Sequence, residues 1–164
     1  MKPEELMTYC GLFCGTCARS AGFTAFREAA TILAEVLDAH GCQYWMPDEP
    51  IDFNYAEFRK GLDFFADADS WFVCKRPCKA RDDGPPFCVH ECCRQHGVDV
   101  CFDCEAFPCE KTEPFKGIAE RAQEYKKLGR DEWLRREAGK AAQGFEMNTG
   151  KYYQIGRTEV DPET

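Results

Sequence analysis

The sequence predicts a mostly α, small helical domain with irregular cysteine-rich metal-binding loops. Three observations predict it: four segments with apolar residues at helical spacing, few strand signals, and twelve cysteines crowded outside those segments. With 44% hydrophobic and 30% charged residues over 164 positions, the chain reads as globular and long enough to hold a core. One domain is expected over residues 1–164, with a metal-binding part at 8–112 and a helical part at 113–164.

The first helical segment is expected over about 18–40, where Phe23, Phe26, Ala30, Leu33, Leu37 and His40 recur at steps of three and four. Gly41 is suited to a left-handed C-terminal stop. Residues 43–50 read as a proline-punctuated loop. A second helix begins near Asp52 or Asn54, either of which can cap exposed amides, and carries Phe53, Tyr55, Phe58, Leu62 and Phe65. These aromatics are read as core. Residues 88–95, if helical, place Cys88 and Cys92 on one face. A third helix is expected over 114–128, with Pro114 in its first turn and Gly129 as its stop. The fourth starts at Asp131, carries Trp133, Leu134 and Ala138, and fades by Gly144.

The formal charge is −8, with 21 Lys and Arg against 29 Asp and Glu. Nucleic-acid binding depends on neutralising phosphates, so this balance argues against it. The basic stretches 121–127 and 130–136 are interleaved with Glu at helical spacing and read as solvated faces. No run approaches the 18 apolar residues of a membrane span, and the N-terminus lacks the apolar stretch of a secretory signal. The expected compartment is the cytoplasm, where thiols stay reduced and dense cysteines point to metal or redox chemistry more than to disulfides.

Cys10, Cys14 and Cys17 form an N-terminal C-x3-C-x2-C group, and eight of the twelve cysteines fall between Cys74 and Cys109. Cys101-x2-Cys104, Cys74-x3-Cys78 and Cys88-x3-Cys92 are pairs whose thiolates can turn toward one ion. The N-terminal spacing is also that of radical S-adenosylmethionine enzymes, but those wrap it in a large α/β barrel for which this chain lacks the length and the βα alternation. A closed site using Cys10, Cys14 and Cys17 together is expected instead, with Cys101/Cys104 joined to Cys74/Cys78. Zinc is favoured, two or more ions per chain, with a [4Fe–4S] cluster on the N-terminal motif as the alternative. A thioredoxin-like role for Cys101 and Cys104 is disfavoured, because neighbouring Asp103 and Glu105 raise a thiol's pKa. Cys42 and Cys93 are read as small buried hydrophobes, and His90 and His96 as surface or capping residues. Zinc catalysis needs a vacant coordination position and a general base, and no H-E-x-x-H or deaminase signature occurs.

The run Tyr9-Cys-Gly-Leu-Phe-Cys-Gly-Thr-Cys17, then Cys88-x3-Cys92, Gly97 and Cys101-Phe-Asp-Cys-Glu-Ala-Phe-Pro-Cys109-Glu-Lys, resembles the cysteine-rich prokaryotic family catalogued as domain of unknown function 3795. The likeness covers roughly residues 8–112, and is looser around Tyr125 to Gly129 and Trp133. It implies a zinc-binding protein with no established activity or substrate. By position it makes ligands of Cys10, Cys14, Cys17, Cys88, Cys92, Cys101, Cys104 and Cys109. Cys74 and Cys78 join them as a pair one residue longer than the family's C-x-G-C. The function expected is a metal-supported binding or regulatory module acting on another protein, with no nucleic-acid or membrane partner.

Overall fold

The computed structural model describes residues 2–80, 89–115 and 117–154. They are mostly helical: α1 (Pro3–Leu6), α2 (Ala25–Ala39), α3 (Cys42–Trp45), α4 (Tyr55–Ala66), α5 (His90–Gln95), α6 (Ile118–Leu128) and α7 (Arg130–Ala142). A short antiparallel hairpin, β1 (Phe145–Glu146) and β2 (Lys151–Tyr152), follows α7. No described helix is long and apolar enough to cross a membrane.

Two helix pairs carry the packing, α2 against α4 and α6 against α7. Asn54 caps α4 as expected, its side chain accepting from Glu57 N at 3.0 Å. Gly41 adopts φ 64° after α2, and Gly129, at φ 77°, ends α6 and precedes α7. The main core gathers Met7, Phe13, Val89, Cys93, Val100, Cys101, Phe102, Ile118, Ala122, Tyr125, Trp133 and Leu134. Inside it, Trp133 meets Phe13 edge-on at 6.3 Å and Tyr125 at 5.9 Å. The α2–α4 pair is closed by rings instead, with Phe26 against Phe65 at 5.3 Å and Phe72 at 5.4 Å.

Several boundaries depart from the periodicity. The first long helix starts at Ala25 rather than near residue 18, because Arg19 to Ala21 are drawn into a parallel bridge: Cys74 N donates to Arg19 O at 2.6 Å and Ala21 N to Cys74 O at 3.0 Å. The expected loop at 43–50 is instead helical in α3, followed by a 3-10 turn at Met46–Asp48. Gly117, left-handed at φ 68°, precedes α6, so that helix begins at Ile118 and Pro114 lies outside it. The helix-like stretch after Val89 is α5, and Cys88 lies outside the described residues. Not every stripe residue is core: Leu33, Phe53 and Phe58 remain substantially exposed, and His40 is exposed.

Candidate metal centre

A tight loop begins the site. Met7 and Phe13 form an antiparallel bridge, and Thr8 N donates to Leu12 O at 2.9 Å, so residues 8–12 turn back on themselves. Gly11 makes this turn at φ 73°, and a Cβ there would fall 2.0 Å from Cζ of Phe102, so the ring fills the space a side chain would need. Cys10 therefore rides the tip of the loop, where Thr8 Oγ1 lies 3.3 Å from its Sγ. Cys14 begins a 3-10 turn beyond the base of the loop.

This geometry parts the N-terminal cysteines. Cys14 shares a side-chain hydrogen bond with Cys78, and that bond with the Cys78 amide holds its pKa below the usual thiol value against burial and the nearby Cys17 and Cys74. Cys17 is raised, first by burial and then by Cys74, Glu146 and Cys78, with the Arg19 amide opposing. The Ser20–Cys74 bridge is what carries Cys74 to Cys17. Cys14, Cys17, Cys74 and Cys78 thus act on one another as a first thiol group.

Cys10 belongs with a second. Cys101 N donates to Tyr9 O at 2.8 Å and Cys93 Sγ to the same oxygen at 3.7 Å, which brings the loop tip, α5 and the Cys101–Asp103 turn together. Burial pushes the Cys93 thiol up to about 12, with Cys92, Cys104 and Cys10 adding to it and Lys79 opposing. Cys101 is also pushed well up, by burial and then by Cys93, Cys10 and Cys109. Cys92, Cys93, Cys101, Cys104 and Cys109 line one cavity of about 20 Å³, walled by Val98 and Phe107. That is room for about one water-sized body. Thr112 locks the far end, accepting from Cys109 N at 3.0 Å and donating to Cys109 O at 2.9 Å.

Sequence spacing put Cys10, Cys14 and Cys17 in one site and Cys101/Cys104 with Cys74/Cys78; in the structure Cys14 and Cys17 feel Cys74 and Cys78, while Cys10 acts on Cys93 and Cys101. Cys93 is buried as a small hydrophobe, yet it also sits among the thiols. The signal was its four-residue spacing from the apolar Val89, which marks an inward helical face. Cys42 is buried at the start of α3, close enough to Tyr55 to raise that phenol, though burial is the larger cause. His96 is exposed. Among the described residues, no three or more Cys, His, Asp or Glu side chains stand arranged to hold a metal ion.

Glu146 braces the first group. It is 4% exposed, and its carboxylate accepts from Thr149 N at 2.8 Å, Asn148 N at 3.0 Å and Ala18 N at 3.4 Å. Burial would raise its pKa, but the Thr149 and Asn148 amides, the Asn148 side chain and the Ala18 amide together outweigh that and lower it. A carboxylate with a lowered folded-state pKa stabilises fully above its ordinary 4.5 and loses that contribution as pH falls through the folded value. Glu146→Gln is expected to cost about 1–2 kcal/mol at pH 7. The gap from wild type, measured by urea denaturation of both, should narrow only below about pH 4.5. A gap that stays constant with pH would contradict this.

Fold and site together define a small helical protein whose loops collect thiols into two groups. The chain belongs to the family described as "Protein of unknown function (DUF3795)", which matches residues 6–114 and so spans all of these cysteines. No curated protein and no solved structure matches it.

Proposed function

We propose that this protein is a zinc-supported binding module, holding one ion in each thiol group and acting on another protein. The observation that carries the reading is the gathering of cysteines from distant segments into two groups, Cys14/Cys17/Cys74/Cys78 and Cys10/Cys92/Cys93/Cys101/Cys104/Cys109. No three of the described side chains stand arranged as a ligand set, so what supports the reading is the type of donor and its gathering. Four thiolates suit tetrahedral zinc, and buried thiols with raised pKa values ionise most readily when a cation replaces the proton. Cys88, beyond the described residues, belongs to the ligand set that the family likeness implies. The two helix pairs, built without these cysteines, would supply the interacting surfaces.

The second reading is a [4Fe–4S] cluster on the N-terminal motif, which would need Cys10, Cys14 and Cys17 at one point. Elemental analysis and visible absorption of anaerobically purified protein test both readings. Colourless protein with about two zinc ions per chain is expected, falling to about one in either Cys14→Ser or Cys101→Ser. Brown protein with iron and sulfide, or folded protein without metal, would overturn the zinc reading.

A further inference from the structure

The α2–α4 pair has two unlike flanks. One is closed by ions, with Arg59 Nη2 2.6 Å from Asp38 Oδ2. The other begins at the Phe26–Phe65 contact. Leu33 follows Phe26 by seven residues and Phe58 precedes Phe65 by seven, two helical turns in each case, so both continue that second flank. It is not covered. Leu33 is 44% exposed, Val36 48%, Phe58 38% and Phe53, whose ring lies 5.5 Å from Phe58, 49%. Ile32, four residues before Val36, widens the strip.

Charge says what fits it. Residues 24–70 hold ten Asp and Glu against three Lys and Arg, which is nearly all of the chain's net −8. Apolar side chains left half exposed within an acidic helix pair favour an apolar stripe flanked by cations. A second copy of this chain would bring the same acidic field and be repelled.

We infer that the Leu33–Val36–Phe53–Phe58 flank of the α2–α4 pair is a docking surface for a basic amphipathic helix of a partner protein. The helix lays its apolar stripe along the seam, and its Lys or Arg residues face exposed carboxylates such as Glu35. The inference rests on the binding-module reading above and supplies the chemistry of the partner.

A labelled synthetic Leu/Lys peptide with its leucines on one helical face, titrated by fluorescence anisotropy against the full chain, tests this. Binding is expected that weakens with added salt and is about tenfold weaker for a scrambled Leu/Lys peptide and for a Leu/Glu analogue of the same pattern. Val36→Ser combined with Phe58→Ser should weaken it by about tenfold, with helix content and metal content unchanged. No binding, equal binding of the scrambled peptide, or indifference to the double substitution would overturn the proposal. So would a dimer in light scattering that the same substitutions dissociate. Because metal content is read on the same samples, a failed titration with zinc present separates this inference from the zinc reading.

Discussion

Treating the native protein with excess chelator at pH 7 is expected to abolish its cooperative thermal transition. A structural zinc contributes about 10–16 kcal/mol of apparent binding free energy. A whole domain is stable by only about 5–15 kcal/mol, so on the proposed zinc reading loss of either ion would exceed the margin. The thiols sit in irregular segments, around Cys74 and Cys78 and from Cys101 to Thr112. These segments are built from 3-10 turns and single hydrogen bonds, and Cys78 itself is exposed. Near-UV circular dichroism should collapse, while part of the far-UV helix signal survives in α2–α4 and α6–α7, whose contacts do not involve the metal-site thiols. Acid should have the same effect, since protons compete for the thiolates. An unchanged melting midpoint in chelator would show that no structural metal is present.

Trp133→Ala should be the most damaging single substitution in the core, costing about 3–5 kcal/mol. Trp133 is 2% exposed and its ring contacts join α7 both to Tyr125 of α6 and to Phe13, the residue before Cys14. Gly15 extends this junction, since a Cβ there would lie 2.6 Å from the Phe13 ring and 3.2 Å from Cβ of Ala141 on α7. The cavity left by Trp133 would therefore loosen the Cys14 turn as well as the helix pair. Urea denaturation should show the loss of stability, and thiol labelling of the protein as purified should show Cys14 reacting faster than in wild type. Trp133→Phe, which keeps a ring in the site, should recover part of both. A loss below about 1 kcal/mol for the alanine variant would mean that the site collapses around the gap.

Local chemistry made much of this legible. Asn54 and Gly41 act through their own side chain or their own φ, so their roles as cap and stop could be read directly from position. The α2 start could not, because the extended Arg19–Ala21 segment pairs with a residue more than fifty positions away. Periodicity likewise placed Phe26 and Leu33 on one face, but it carries no information about where the covering partner ends. Phe26 is met by Phe65 and Phe72, whereas Leu33 is left half exposed.

By itself the sequence determined the helical class, the caps and stops, the acidic field and which residues carry thiols, since each follows from residue type and short-range spacing. Only the tertiary structure decided which thiols meet. Cys10 and Cys14 are four residues apart, but the Met7–Phe13 bridge sends one to the loop tip and leaves the other past its base. Cys17 and Cys74 are far apart in the chain, and the Ser20–Cys74 bridge makes them neighbours. Backbone pairing between distant segments leaves no periodic trace, so the spacing of cysteines revealed the donors without revealing their partition.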